Sequence, residues 1–303
     1  MQSFQLGVWL QQYRVKNELG RKLLAEFAAT TLLMYVGFSV GSQNALSRGQ
    51  LNSPLGVSIG WGLALIFAVQ MAFNISGAHL NPAISLSAWA FGQMSFVSFV
   101  LYSIIQTLAS FFAAALTFVH YFDKINEFDG GVRQVYGVNA TAGLFTTFPG
   151  EHLSLVGSIV DQTLCTLVLT FIVGIVGDSR NNIPKFAQPT MYGLMLIGIN
   201  LAFGLNAGNA MNPARDFGPR LFTLLAGYGW EVFSHWYFLW FLVPIVCPLV
   251  GGLAGSVLYQ LIIGVQMPIE EETNETSSST PSRTNTLSYL VSDSSKSTLN
   301  SLV

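Results

Sequence analysis

Residues 210–222 read AMNPARDFGPRLF, and inside them Asn212-Pro213-Ala214 runs directly into Arg215 and Asp216. The same tripeptide occurs once before, as Asn81-Pro82-Ala83 within SGAHLNPAIS at 76–85. Both copies stand between long hydrophobic runs, in a chain that is 51% apolar and only 9% charged. A soluble domain carries about 25% charged residues. This chain cannot coat a globule with charge, so its surface faces something other than water. Apolar runs of roughly 20 residues, the length that crosses a bilayer, fall at about 23–42, 55–75, 96–119, 155–177, 188–205 and 236–262. Two shorter runs, at about 82–92 and 213–226, begin at the prolines of the two tripeptides and are too short to cross. The expectation is an all-α membrane protein with six transmembrane helices and two half-helices.

The order of features recurs. Glu26 precedes Asn81 by 55 residues and Asp161 precedes Asn212 by 51, each acidic residue sitting early in the first span of its half. This is an internal repeat, with halves at about 23–119 and 155–266. An odd number of spans per half inserts the second copy upside down, giving an inverted repeat about an axis in the membrane plane.

Proline is welcome in the first turn of a helix, where its missing N–H had no partner. Asn81 and Asn212 are therefore expected to cap short helices that start at Pro82 and Pro213 and continue through Ala83 and Ala214. Two such helices entering from opposite faces meet near the midplane with their positive N-terminal ends facing. Irregular backbone at that depth is tolerated where it lines a watery cavity. Capping occupies the side-chain oxygen of each Asn and leaves its NH₂ to donate into the cavity. A water held there presents its oxygen to both donors, which interrupts a proton-conducting chain and repels cations.

With the AEF at 25–27, the SGAHLNPA at 76–83, AMNPARDFGPRLF and the LVPIVCPLVGG at 242–252, the chain resembles the aquaporin, or major intrinsic protein, family over residues 20–266. The resemblance implies a right-handed bundle assembled as a homotetramer with one pore per subunit. It also implies that Arg215 lines the narrowest constriction, on the extracellular side. Asp216, directly after that Arg, is typical of the aquaglyceroporin branch. Trp61 stands where that branch places a bulky filter aromatic, and Asn200 and Asn209 take the other two filter positions. Two departures accompany the match: those two positions usually hold a Gly and an aromatic, and Asp161 stands where Glu is more frequent. Losing one aromatic makes the filter more polar and wider. Glu26 and Asp161 are expected to accept hydrogen bonds from the loops that hold the half-helices.

The function implied is a passive channel for water, glycerol and other small neutral solutes such as polyols or urea. The alternatives are a water-selective aquaporin and a secondary transporter, the latter disfavoured because the midplane offers two neutral Asn rather than titratable groups. No enzyme activity, cofactor, metal or nucleic acid partner is expected. The four His are scattered without ligand spacing, and Cys165 and Cys247 read as packing residues inside spans. His79, at the cytoplasmic mouth, is read as a packing or loop-holding residue in preference to a pH gate. The pairs Gly37/Gly41 and Gly251/Gly255 are read as close helix contacts with no transport role.

Lys and Arg concentrate before the first span (Arg14, Lys16, Arg21, Lys22) and between the fourth and fifth (Arg180, Lys185). By the positive-inside rule both termini are expected to be cytoplasmic, in a membrane expected to be the plasma membrane. Residues 1–22 are expected to form an N-terminal segment, 23–266 the channel domain and 267–303 a Ser/Thr-rich disordered tail. Its final Ser301-Leu302-Val303 has the form bound by PDZ-type domains. Asn139, in the sequon Asn139-Ala140-Thr141, is a glycosylation candidate in the long loop expected to lie outside.

Overall fold

The computed structural model describes residues 6–268. The tail expectations, including Ser301-Leu302-Val303, lie outside them. Eight helices carry the architecture: α1 (Glu18–Leu46), α2 (Pro54–Ser76), α3 (Pro82–Ala90), α4 (Phe96–His120), α5 (Leu155–Gly177), α6 (Gln188–Phe203), α7 (Pro213–Thr223) and α8 (Val243–Ile262). Their starts follow from capping chemistry. Asn17, Ser53, Asn81, Ser95, Ser154 and Asn212 each accept a backbone N–H from the first turn with their side chains, and α2, α3 and α7 carry Pro directly after the cap.

Contacts between helices reproduce the repeat. Helix α1 packs on α2 and α4, and α5 packs on α6 and α8. Half-helix α3 lies against α4 and α8, and α7 lies against α8 and α4. The two self-related pairs, α2 with α6 and α3 with α7, close the bundle. Exchanging α1–α4 for α5–α8 leaves this pattern unchanged, as a two-fold relation between the halves requires.

Five of the helical segments are long and apolar enough to cross a membrane: α1, α2, α4, α5 and the stretch Trp240–Gln266 that contains α8. The expected fifth span is shorter than the sequence suggests. Helix α6 has 16 residues, about 24 Å at 1.5 Å per residue. It stops at Phe203, where Gly204 caps it with an N–H bonded back to the Asn200 carbonyl at 3.1 Å. The last span also differs from expectation, since Glu231–Phe238 forms a separate short helix before α8. The apolar excess points outward: Leu63, Phe67, Ile104, Leu108, Leu164 and Val250 are each about half exposed or more, the side-chain set a lipid-facing surface needs.

Small residues set the closest approaches. A Cβ on Gly251 or Gly255 would stand 2.2 Å or 2.1 Å from the carbonyl oxygen of Thr163 or Leu167 on α5. A Cβ added at Gly41 would meet no other group within 4 Å among the described residues, so Gly41 is not a close contact within the chain. Gly37 is such a contact, since a Cβ there would stand 2.4 Å from the ring of Trp61 on α2.

Candidate functional site

The two tripeptides meet at the centre of the bundle. Asn81 Oδ1 accepts from Ala83 N at 2.8 Å, and Asn212 Oδ1 accepts from Ala214 N at 3.0 Å and Arg215 N at 3.2 Å. Each amide nitrogen crosses to the other half: Asn81 Nδ2 donates to the Met211 carbonyl at 2.9 Å, and Asn212 Nδ2 donates to the Leu80 carbonyl at 2.8 Å. The expectation of a fully free NH₂ is thus refined. One proton of each amide braces the halves together, and one remains for the lumen.

Both loops present those carbonyls through strained backbone. Ala78 and Leu80 have φ of 54° and 54°, and Asn209 and Met211 have 49° and 46°. Non-glycine residues in this region cost about 1–3 kcal/mol each and persist where surroundings over-determine them. In the first half the surroundings are Glu26. Its buried carboxylate accepts from Ser76 Oγ (2.6 Å), His79 N (2.9 Å), Leu80 N (2.8 Å) and Gln106 Nε2 (2.9 Å). His79 is held by its backbone, while its ring contacts Ser85 Oγ at 3.1 Å and packs edge-on to Tyr102. In the second half Asp161 accepts from Asn206 Nδ2 at 2.7 Å and Gln162 Nε2 at 2.9 Å.

A cavity of about 580 Å³ is lined by Trp61, Asn81, Asn200, Asn209, Asn212 and Arg215 together, and it reaches Val69, His79, Tyr192 and Met195. The Arg215 guanidinium carbon lies 5.5 Å from the Trp61 ring centroid and 5.2 Å from that of Phe38, within cation–π range. Its Nη1 donates to the Phe145 carbonyl at 2.9 Å. The other guanidinium donors have no protein partner among the described residues. Asn200 lines the cavity with its amide likewise unpaired among the described residues. Asn209 behaves differently. With its amide in the orientation that satisfies both ends, its nitrogen donates to the Phe203 carbonyl at 2.8 Å and its oxygen accepts from Gly204 N at 3.2 Å. That side chain ties off the end of α6, so it adds less polarity to the lumen than the sequence suggested.

Asp216 does not face the cavity. It is fully buried behind Arg215, where Oδ1 pairs with Arg220 Nε at 2.9 Å and Oδ2 accepts from Thr147 N at 2.8 Å and Thr147 Oγ1 at 2.5 Å. Arg220, also fully buried, donates onward to the carbonyls of Thr147, at 2.6 Å, and Val232. Trp240 Nε1 donates to the same Thr147 carbonyl at 2.7 Å. This knot fixes the 145–147 segment, whose Phe145 carbonyl orients Arg215.

Sequence reasoning missed Phe38, Thr147, Arg220 and Trp240. Arg220 carried a usable signal, an acidic-to-basic i,i+4 spacing from Asp216 on one helix. The others carried none, because the contacts are long-range. Pro82, Ala83, Pro213 and Ala214 shape the half-helix starts without lining the cavity, and Asn139 lies apart in the loop between α4 and α5, accepting from Arg48 Nη2 at 3.3 Å.

Comparison with known proteins adds to this geometry. The family model described as major intrinsic protein matches residues 14–259. The chain is 41% identical over 226 residues to aquaporin-9 of Rattus norvegicus, covering 74% of this chain and 77% of that protein. It is 39% identical over 259 residues to aquaporin-9 of Homo sapiens, covering 85% and 88%. To aquaporin-2 of Milnesium tardigradum it is 39% identical over 266 residues, covering 87% and 82%. The X-ray structure of the aquaglyceroporin from Plasmodium falciparum matches with a TM-score of 0.73 at 26% identity, over 81% of this chain and 97% of that one.

Proposed function

The chain belongs to the major intrinsic protein family, and on that premise we propose that it works as an aquaglyceroporin, a passive transmembrane channel for water and glycerol. The observation that carries the reading is the amphipathic slot in the cavity, with the face of Trp61 on one side of the Arg215 guanidinium and that group's unpaired donors turned to the lumen. A polyol slides its carbon chain along the ring while its hydroxyl oxygens accept from the guanidinium. The unpaired amide of Asn200 adds a donor and an acceptor, which suits solutes carrying both, such as polyols or urea. Small cations meet Arg215 and then the facing N-terminal ends of α3 and α7, two positive barriers in series. At the midplane the remaining amide protons of Asn81 and Asn212 orient a passing water by its oxygen and break the proton chain.

The same reading covers the rest of the molecule. Residues 23–266 are the channel domain, flanked by cytoplasmic segments 1–22 and 267–303, in the plasma membrane and as a homotetramer. Asn139 carries a glycan, and Ser301-Leu302-Val303 offers a C-terminal carboxylate to a PDZ-type partner. Stopped-flow light scattering on proteoliposomes tests the central statement, first under an impermeant osmotic gradient and then under a glycerol gradient. The expected result is rapid entry of both water and glycerol without saturation at low glycerol concentration. Rapid water flux alone would instead mark a water-selective aquaporin and remove the solute role assigned to Trp61.

A further inference from the structure

The two halves hold their asparagine loops by different means. In the first, the Glu26 carboxylate reaches the loop directly and takes the backbone N–H groups of His79 and Leu80, two and one residues before Asn81. In the second, no backbone N–H of the loop reaches Asp161 among the described residues, its side chain being one methylene shorter. The N–H of Ala210, two residues before Asn212 and so the counterpart of His79, donates to Gln162 Oε1 at 3.0 Å. Gln162 Nε2 in turn donates to Asp161 Oδ2 at 2.9 Å. Gln162 is fully buried. The residue after Glu26 is Phe27, which has no polar group to offer.

From this asymmetry we infer that Gln162 is a positioning residue for the pore. It relays the Asp161 carboxylate to the Ala210 N–H and thereby holds Met211 and Asn212 in register with Asn81. The relay is chemically sensible. An amide whose N–H is bound by a carboxylate is polarised, and its oxygen becomes a stronger acceptor, so the negative charge is felt at the loop through a neutral side chain. Its reach is also functional, because the residue after Ala210 supplies the carbonyl that receives Asn81 Nδ2. Losing the Gln162 acceptor therefore frees the loop on which both asparagine amides depend. The second Asp161 oxygen extends the chain outward through Asn206, whose carbonyl accepts from Gly150 N at 2.8 Å.

The inference rests on the channel reading, and the experiment separates the two. Water and glycerol permeability per protein are measured in proteoliposomes for the wild type, Gln162→Leu, and the double variant Asp161→Glu/Gln162→Leu. Local amide exchange at 207–211 and 77–80 is followed by mass spectrometry. With Gln162→Leu, permeability is expected to fall at least about fivefold, with exchange faster by about tenfold at 207–211 and unchanged at 77–80, as the loss of one buried hydrogen bond implies. The extra methylene introduced by Asp161→Glu lets the carboxylate reach the Ala210 N–H directly, as Glu26 reaches His79, so the double variant regains both. A general packing role for Gln162 predicts no such rescue. If Gln162→Leu never reaches the membrane, the double variant must restore it there. Wild-type flux and exchange in Gln162→Leu, or a double variant no better than the single, overturns the relay. A wild type that conducts neither solute overturns the channel reading instead.

Discussion

Replacing Asp216 by Ala removes three hydrogen bonds at once and leaves a cation in the protein interior. The lost partners are Arg220 Nε at 2.9 Å, Thr147 N at 2.8 Å and Thr147 Oγ1 at 2.5 Å. Both charged side chains are 0% exposed, so water cannot take over the vacated positions. Breaking a buried ion pair from one side costs about 3–5 kcal/mol, because the remaining charge keeps its desolvation penalty without its counter-ion. The carbonyls of Thr147 and Val232 still receive the Arg220 guanidinium, which sets Asp216→Ala toward the lower end of that range. Removing both charges, as in Asp216→Ala/Arg220→Met, abolishes the penalty along with the pair. The double variant is thus expected to be more stable than Asp216→Ala alone by about 2 kcal/mol. Unfolding midpoints of the four proteins in detergent micelles, completed as a double-mutant cycle, measure this. Glycerol flux gives an independent readout: slackening of the 145–147 segment withdraws the Phe145 carbonyl from Arg215, so glycerol permeability is expected to fall more than water permeability. Asp216→Ala at wild-type stability, or a double variant whose loss equals the sum of the singles, would refute the claim that this Asp acts by neutralising Arg220.

Gly37→Ala places a methyl 2.4 Å from the Trp61 ring; the ring must move toward the lumen, so glycerol permeability falls several-fold more than water permeability in the same liposomes, and equal losses would argue against Trp61 as filter wall. Arg215→Ala removes a cation-repelling charge and opens the constriction, so water permeability is expected to hold or rise while proton leak, read by an internal pH dye, increases. At the end of α5, burial pushes the Asp178 carboxyl up, but hydrogen bonds from Arg180 and Tyr259 and the Arg180 charge outweigh it and hold the group below its ordinary value of 3.8. A depressed acid stabilises the fold above its unfolded-state value and ceases to do so as pH falls through its folded-state value. Thermal scans should accordingly show no contribution from this group to the change in stability between pH 7 and pH 5, and a stabilisation that disappears below 3.8 in wild type but is already reduced in Tyr259→Phe.

What can be read from the sequence is whatever is periodic or local. Long apolar runs, Pro after a capping Asn and a repeated tripeptide are statements about neighbours along the chain, and they are enough to expect the bundle, the paired half-helices and the inverted repeat. The end of α6 is legible only in part: Gly204 directly after Phe203 is a stop signal that the run of apolar residues through 205 obscures, and Asn209 from the following loop seals that end. Asp216 is legible as a branch marker but not as a mechanism. Its neighbour along the chain, Arg215, points into the cavity, and its true partner lies one helical turn on, joined to Thr147 from a loop 69 residues earlier. The charge that follows only the second tripeptide thus has a division of labour. Arg215 lines the cavity, and Asp216 with Arg220 fixes the carbonyl-bearing segment against which Arg215 is aimed. The first half has no such cation to aim: Ile84 follows Ala83, and no charge stands there.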